Sequence, residues 1–467
     1  MIDLSGMRIH FIGIGGSGMS GIARIMLDRG MSVSGSDKSD SAVLKSLSTY
    51  GAKTFIGHNA ANIATAQAIV KSAAIAESNP ELVAAKSAGL PIYERAQALA
   101  WLMQNQISVA IAGTHGKTTT TAMLTVVLQS CGADPSFAIG GTINASGINA
   151  HNGKGKHFIA EADESDGSFL AYRPNGAIIT NIELDHVDHF KTLGEIEQVF
   201  LDFVNSIAAN GFLVANISDS GVAKLLSQIS RGDLKIITYG KSEIAQFQIK
   251  NAQVTNNKTV AQITVNGLPS TQTEMAHELI LQIPGEHNAE NATAVFATAI
   301  HLGFAAPAIL DGLKGYSGTK RRFELKGVQN GVRVIDDYGH HPTEITATLK
   351  AARSFAGAGK VLVIFQPHRY SRTQRFEREF AKALSKADFT LILEVYAASE
   401  PAISGVSGLS IAKHLDSKSA KFQPAMVEAV NEICEMAKPG DVILTLGAGD
   451  VSSLGEPILN KLNQRIN

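Results

Sequence analysis

The chain has 467 residues, 45% of them apolar, with 41 Lys plus Arg against 42 Asp plus Glu. This length predicts about three domains at roughly 150 residues each, and the apolar fraction argues against disorder. The balanced charge argues against a general nucleic-acid binder, and the chain contains no apolar run of about 18 residues, so no membrane span is expected. The only cysteines are Cys131 and Cys434. With no export signal visible in Met1–His10, they favour a cytoplasmic location.

The N-terminal segment has the pattern strand, glycine turn, helix. Arg8–Gly13 predicts a strand, Gly13–Gly18 is the turn, Met19–Arg29 predicts a helix, and Met31–Ser36 predicts a strand ending at Asp37. The turn has G-x-G-x-x-G spacing, which lets the backbone approach a phosphate at a helix N-terminus. An acid after the next strand commonly binds a ribose. The pattern predicts a nucleotide or nucleotide-sugar site, and the alternative is a tight turn without a ligand.

Further along the chain, the predicted strand Ile107–Ala112 leads directly into the loop Gly113–Thr119. This loop has a G-K-T core and is followed by a helical pattern. Backbone N–H groups of such a loop surround phosphate oxygens, the lysine neutralises them, and the threonine hydroxyl can ligate Mg²⁺. Ile111 stands where the common phosphate loop has its first glycine, so this loop is shorter. ATP binding is predicted here, and the alternative is a glycine turn with a surface lysine.

Two polar clusters follow strands. Glu161–Asp166 carries four acids after the apolar His157–Ala160, and Asn181–His189 has a histidine between two aspartates after Ala177–Thr180. Ligands of open α/β sheets bind beyond the carboxyl ends of strands, and carboxylates are typical ligands of hard cations. We expect metal-binding residues in these clusters, although solvated turns would have a similar composition.

The segment Gln246–Ile283 is rich in Thr, Val and Asn with near-alternation, which predicts an antiparallel β insertion before a helix at Asn288–Leu302. Gly315–Lys320 is the best candidate linker to a third α/β unit. The strands predicted there are Val332–Asp336, Lys360–Phe365, Phe389–Leu393 and Asp441–Leu446.

Cations and hydroxyls cluster after the strands of this third unit, in Lys320–Glu324, Asp336–Thr343 and Gln366–Arg372. They suit a carboxylate or a phosphate, or they form a charged loop surface. Arg372 could bind a carboxylate bidentately or tie its loop to a neighbouring acid. The sequence of the turn Gly447–Asp450 is equally compatible with a turn at a bound ligand and with a purely structural turn.

In this order, the motifs resemble the Mur ligases, and the resemblance extends over essentially the whole chain. The motifs that carry it are GIGGSGMSGIA, GTHGKTTTT, EADESD, NIELDHVDH, GEHNAEN, RRFE, DDYGHHPT and QPHRYSRT. The short loop of that family, G-T-x-G-K-T, also explains Ile111. The implied fold is α/β with three domains. Residues 1–104 are a Rossmann-like UDP-sugar domain, 105–317 a central P-loop ATPase-like domain with the antiparallel insertion, and 318–467 a Rossmann-like amino-acid domain.

The resemblance also implies a role for individual residues. The UDP-sugar would contact Gly15, Ser17, Gly18, Met19, Asp37 and Ser72. ATP would contact Gly113, Thr114, His115, Gly116, Lys117, Thr118, Thr119, Asn288, Asn291, Arg322 and Asp337. Mg²⁺, for which Mn²⁺ can substitute, would be bound by Thr118, Glu161 and His186. The amino acid would contact Tyr338, His340, His368, Arg369 and Arg372. The catalytic residues would be Lys117, Glu161, His186 and His340.

The implied reaction is ATP-dependent ligation of L-alanine to the carboxylate of UDP-N-acetylmuramate through an acyl phosphate, an early step of peptidoglycan synthesis. Some relatives hold a further Mg²⁺ with a carbamoylated lysine, but Thr192–Ala223 contains no lysine. A base must take the amine proton, and His340 and His368 are both candidates. The nearest alternative is a sister ligase that adds a peptide in wall recycling. An NAD-dependent oxidoreductase or a nucleotide-binding regulator would leave the motifs after Gly113 unexplained.

Overall fold

The computed structural model describes residues 4–165, 167–187, 189–255, 257–266 and 275–464. Asp166 and Asp188 of the two polar clusters, and 267–274 of the β insertion, lie outside the described residues. The chain divides into two compact units. The first holds residues up to 182 together with 197–238 and 294–312, and the second holds 183–196, 239–293 and the residues from 313 onward. In the described part of the chain, we find no helix of the length and apolarity that a membrane span requires.

The first hundred residues alternate strands with helices. Their bounds are β1 Arg8–Ile12, α1 Ser17–Asp28, β2 Ser32–Asp37, α2 Ala42–Thr49, β3 Lys53–Ile56, β4 Ala68–Lys71, α3 Pro80–Ser87, β5 Ile92–Glu94 and α4 Arg95–Leu102. The strands form a parallel sheet in the order β3-β2-β1-β4-β5. The strand order reverses beside β1, so the glycine turn after β1 lies where ligands of open sheets bind.

A second, mostly parallel arrangement follows in the central segment. Its elements are β6 Ile107–Ala112, α5 Lys117–Ser130, β7 Ser136–Ala138, β8 Ala150–His151, β9 His157–Glu161, β10 Gly176–Ile179, α6 Leu193–Ser206, β11 Phe212–Asn216, α7 Ser220–Gln228 and β12 Lys235–Gly240. Strand β6 lies between β9 and β10 and pairs parallel with both. Its carboxyl end therefore lies at the same sheet edge as Glu161 and Thr180. This register brings the predicted phosphate loop to the predicted acidic cluster.

The predicted antiparallel insertion is confirmed in the second unit. It consists of β13 Phe247–Thr255, β14 Lys258–Val265 and β15 Met275–Leu281, which pair in sequence order. The helices α8 Glu286–His301 and α9 Ala306–Gly315 come next in the chain. The end of β12, at Tyr239 and Gly240, pairs with β13. The linker predicted at Gly315–Lys320 begins at the last residue of α9.

The C-terminal segment forms a six-stranded sheet in the second unit. Its elements are β16 Glu324–Gln329, β17 Val332–Asp337, α10 Pro342–Ala356, β18 Val361–Phe365, α11 Tyr370–Leu384, β19 Phe389–Ile392, α12 Gly408–Ala412, β20 Ala420–Phe422, α13 Met426–Met436, β21 Val442–Leu446 and α14 Gly455–Gln464. The order is β16-β17-β21-β18-β19-β20, and only the edge strand β16 is antiparallel. Two apolar clusters pack against this segment, as expected for a sheet covered by helices on both faces.

These sheets confirm the α/β class and the predicted parallel units. The strand predicted at Ile107–Ala112 has those bounds, and the helix predicted at Met19–Arg29 begins two residues earlier, at Ser17. The domain boundaries predicted after residues 104 and 317 remain predictions.

Candidate active site

The phosphate loop between β6 and α5 is shaped by the residues that follow β10. The Thr114 N–H donates to the Asn181 carbonyl at 3.0 Å, and the His115 N–H donates to Asn181 Oδ1 at 2.8 Å. Gly113 has φ +136°, and a Cβ there would lie 2.0 Å from Thr180 Oγ1. Glycine is therefore required where the loop passes β10, because any side chain would collide with a buried residue.

Lys117, the first residue of α5, is mostly buried against the loop, with 13% of its side chain exposed. Its Nζ donates to the carbonyls of Gly113 and Thr114 at 2.7 and 3.1 Å and to Glu164 Oε1 at 2.9 Å. Burial alone would lower the pKa of Lys117, but the carboxylates of Glu164 and Asp163 raise it above its ordinary value. The loop therefore keeps a charged ammonium group where the sequence predicts phosphate.

Thr118 and Glu161, two of the three predicted metal ligands, are brought together. Thr118 Oγ1 donates to Glu161 Oε1 at 2.8 Å, and the Gly140 N–H donates to Oε2 at 2.7 Å. A hydroxyl and a carboxylate are oxygen donors of the kind that Mg²⁺ prefers. The third predicted ligand, His186, belongs to the second unit, where its N–H donates to Asp185 Oδ1 at 2.7 Å.

A cavity of about 280 Å³ lies beside the first glycine turn, within the first unit. Of the predicted UDP-sugar residues, Gly18, Met19 and Ser72 line it, and so do Arg95 and Glu161. The sequence analysis missed Arg95, which begins α4 and belongs to no motif. Its guanidinium lies 3.3 Å from where a Gly18 Cβ would be, so the absence of a side chain at Gly18 makes room for it.

Gly15 and Asp37 do not line this cavity but contact each other. The Gly15 N–H donates to Asp37 Oδ2 at 2.8 Å, so the acid predicted to bind a ribose closes the glycine turn. Ser17 is the first residue of α1, and its side chain is not described.

The second unit holds a buried ion pair between Asp185 and Arg372. The Nε and Nη2 atoms of Arg372 donate to Asp185 Oδ1 at 3.0 and 2.8 Å, and Arg372 is only 4% exposed. Although burial by itself would raise the pKa of Asp185, Arg372 holds it well below its ordinary value. Of the two roles that the sequence left open for Arg372, the structure has the arginine tied to a neighbouring acid.

His340 and His368 lie close together, with ring centroids 5.8 Å apart. Burial lowers the pKa of His340 to about 3 and, together with Arg372, lowers that of His368 to about 4. Both rings are therefore neutral near pH 7. His340 Nδ1 lies 3.1 Å from the Tyr338 carbonyl. A carbonyl only accepts, so Nδ1 carries the proton and Nε2 keeps its lone pair.

The other predicted residues of the second unit contact their own neighbours. Asn288 donates to the Pro284 carbonyl at 2.8 Å, and Asn291 donates to Asn288 at 3.4 Å.

Asp337 accepts hydrogen bonds from the backbone of Phe323 and Gly339 and from the Thr348 hydroxyl, and burial raises its pKa. The guanidinium of Arg322 lies over the Tyr338 ring, and Arg369 lies 3.7 Å from Glu400. Their roles toward ATP and the amino acid remain predictions.

Comparison with known families gives three matches along the chain. The model described as the Mur ligase family catalytic domain matches residues 8–107, the Mur ligase middle domain matches 111–299, and the Mur ligase glutamate ligase domain matches 321–449.

Curated relatives match at nearly full length. UDP-N-acetylmuramate–L-alanine ligase of Renibacterium salmoninarum is 49% identical over 455 residues, which cover 97% of this chain and 96% of the relative. The protein of that name from Paenarthrobacter aurescens is 47% identical, with 97% of each chain covered. The solved UDP-N-acetylmuramate–alanine ligase of Thermotoga maritima superposes with a TM-score of 0.81 at 30% identity, covering 98% of this chain and 100% of that one.

Proposed function

The chain belongs to the Mur ligase family, and from this premise we propose how its residues join L-alanine to the carboxyl group of UDP-N-acetylmuramate with conversion of ATP to ADP and phosphate. This ligation is a step of peptidoglycan synthesis. One observation of the structure carries the proposal. Glu161 lines the cavity beside the first glycine turn and also accepts a hydrogen bond from Thr118 of the phosphate loop. A nucleotide-sugar in that cavity and a triphosphate on that loop would share this carboxylate.

The first step is transfer of the γ-phosphoryl group to the sugar carboxylate, because a carboxylate oxygen is itself a poor leaving group. A carboxylate oxygen bonds to the γ-phosphorus, the bond to the β-phosphate oxygen breaks, and ADP leaves. Lys117 stabilises the charge that develops on the phosphoryl oxygens, for which its ammonium is already held charged. Thr118, Glu161 and His186 would hold Mg²⁺, which supplies further charge neutralisation.

The second step is attack of the alanine amine on the carbonyl carbon of the acyl phosphate. The alanine ammonium first gives up one proton to water and becomes the attacking amine. As the new C–N bond forms, the bond from the carbonyl carbon to the phosphate oxygen breaks, inorganic phosphate leaves, and the nitrogen loses its second proton. The lone pair on His340 Nε2 is the proposed acceptor of that proton. The neutral state of both histidines also avoids repulsion of an incoming ammonium group. We place this reaction in the cytoplasm, where ATP is available.

A coupled assay for ADP release tests the proposal. We expect release only when UDP-N-acetylmuramate and L-alanine are both present, and no release when NAD(H) replaces the nucleotide-sugar. A third arm replaces L-alanine with L-alanyl-γ-D-glutamyl-meso-diaminopimelate, and a preference for this peptide would favour the sister ligase. Absence of ADP release with L-alanine would refute the proposal.

A further inference from the structure

One oxygen of Asp185 already accepts three hydrogen bonds from the protein. This atom, Oδ1, accepts from Nε and Nη2 of Arg372 and from the N–H of His186. The carboxylate and the guanidinium are both nearly completely buried. A carboxylate of the protein therefore occupies one of the two edges through which the guanidinium could bind a substrate carboxylate with two hydrogen bonds.

The remaining terminal nitrogen of Arg372 contacts His368. Arg372 Nη1 lies 3.3 Å from His368 Nδ1. A guanidinium only donates, so Nδ1 of this neutral ring accepts and the ring proton is on Nε2. The ring is also stacked on Tyr396, with centroids 5.6 Å apart and an angle of 12° between the planes. Both the orientation of the His368 ring and its tautomer are thereby fixed.

His340 has the opposite tautomer, because its Nδ1 donates to the Tyr338 carbonyl. The two neighbouring rings thus offer one Nε2–H donor, on His368, and one Nε2 acceptor, on His340. A free amino acid offers the complementary groups, since its carboxylate accepts hydrogen bonds and its ammonium donates them.

We propose that Asp185 and Arg372 are a positioning pair that holds His368 in its Nε2–H tautomer. His368 then donates a hydrogen bond to the carboxylate of the amino-acid substrate, and Arg372 does not touch that substrate. This inference rests on the proposed function for the identity of the substrate. The tautomer itself is a property of the protein alone. Asp185 lies 187 positions from Arg372 in the chain and has no assigned role among the predicted residues.

Nitrogen NMR of the full chain labelled with ¹⁵N-histidine tests the tautomer directly. We expect His368, assigned by loss of its signals in His368→Gln, to show an unprotonated Nδ1 and a protonated Nε2. In Arg372→Lys and Asp185→Asn this pattern should give way to a mixture of tautomers. Arg378→Lys, the same change on the exposed face of α11, should leave it intact. An unaltered pattern in both Arg372→Lys and Asp185→Asn would overturn the proposal.

Steady-state kinetics separate positioning from direct contact. Arg372→Lys should raise the KM for L-alanine tenfold or more and leave the KM for ATP within twofold. Added to His368→Gln, it should cause little further loss, because a residue that acts through His368 has no effect once His368 is absent. Full additivity of the two losses would show that Arg372 contacts the substrate itself.

Hydroxylamine in place of L-alanine distinguishes failure of this inference from failure of the proposed function. Hydroxylamine attacks an acyl phosphate directly, forming a hydroxamate and releasing phosphate, and it has no carboxylate to bind. We expect Arg372→Lys to form hydroxamate at a rate within a few-fold of the wild-type protein. A severe loss in this variant would place Arg372 in phosphoryl transfer and overturn the inference. Absence of hydroxamate with the wild-type protein would instead refute the acyl phosphate and leave the NMR result standing.

Discussion

Lys117 is the residue on which the proposed phosphoryl transfer depends most directly. It is held by Glu164 and two loop carbonyls, so its position is set before any phosphate binds. We expect Lys117→Ala to lower kcat at least about a hundredfold, on the scale of removing a preorganised charge partner. Turnover and circular dichroism measured on the same preparation check this expectation.

Removing Lys117 also leaves the buried Glu164 without its cation, which by itself costs stability. The control is therefore Lys117→Ala combined with Glu164→Gln, in which no charge is left uncompensated. This double variant should recover the melting temperature but not the turnover. Turnover within a few-fold of wild type in either variant would remove Lys117 from the catalytic machinery.

Glu81 gives a second prediction at the residue scale, for stability against acid. It is completely buried, and although burial by itself raises its pKa, the neighbouring His10 ring and hydrogen bonds from Ser36 and Asn62 lower it to about 2. The unfolded chain therefore binds a proton on Glu81 at higher pH than the folded protein does. The stabilisation is complete above about pH 4.5 and is lost as the pH falls toward about 2.

Glu81→Gln removes this pH-dependent contribution. We expect the variant to be destabilised by about 2 to 3 kcal/mol at pH 7 and by clearly less at pH 3. Urea unfolding at the two pH values measures the difference, and Glu428→Gln on the exposed face of α13 is the matched control. An equal loss at both pH values would show that the charge of Glu81 does not matter.

At the scale of elements, the turn between β6 and α5 decides whether the phosphate loop can form. Gly113 combines a positive φ with a Cβ position only 2.0 Å from Thr180 Oγ1, whereas Gly132, after the other end of α5, has φ +80° and open space around it. Gly113→Ala should weaken ATP binding more than tenfold. Gly132→Ala should lower the free energy of unfolding by only about 1 kcal/mol, because the alanine would have an unfavourable positive φ but would collide with no neighbour. Calorimetric titration of ATP into both variants checks the contrast, and equal affinities would contradict it.

A similar prediction applies to the turn between β1 and α1 and to the binding of UDP-N-acetylmuramate. A Cβ on Gly15 would lie 2.8 Å from Asp37 Oδ2 and 2.9 Å from Leu44 Cδ1, so a larger side chain would separate the turn from β2. Gly15→Val should therefore weaken UDP-N-acetylmuramate binding at least tenfold and leave ATP affinity nearly unchanged. Titration of each ligand measures both effects. Loss of ATP binding with intact nucleotide-sugar binding would reverse the two assignments.

At the scale of the whole molecule, the sequence predicted those structural features that are determined by residues close together in the chain. The βαβ spacing gave the parallel units, and the glycines after Ile12 and Ala112 marked turns whose backbone conformation only glycine adopts easily. Contacts between distant segments were not predictable in this way. The partner of Arg372 was left open because Asp185 is 187 positions away, and Arg95 was missed because a lone arginine at a helix start carries no motif. Pairing of Lys117 with Glu164 depends on the register of β6 with β9, which spacing alone does not set.

The effect of ligands on the melting temperature of the intact chain provides a last prediction. It distinguishes a nucleotide-sugar from a dinucleotide as the ligand of the first glycine turn. A ligand that binds only the folded protein stabilises it by RT ln(1 + [L]/Kd), which is about 2.7 kcal/mol at a hundredfold excess over Kd. A chain of this length has an unfolding entropy near 1 kcal/mol per degree, so the expected rise in Tm is about 2 to 3 °C. UDP-N-acetylmuramate should raise the Tm of the chain by this amount, and NAD⁺ at the same concentration should not. The Gly15→Val variant, which should lose most of the rise, is the control for binding elsewhere. A rise with NAD⁺ and none with the nucleotide-sugar would mean that the turn after β1 serves a dinucleotide cofactor, and the proposed first step would then lack its substrate.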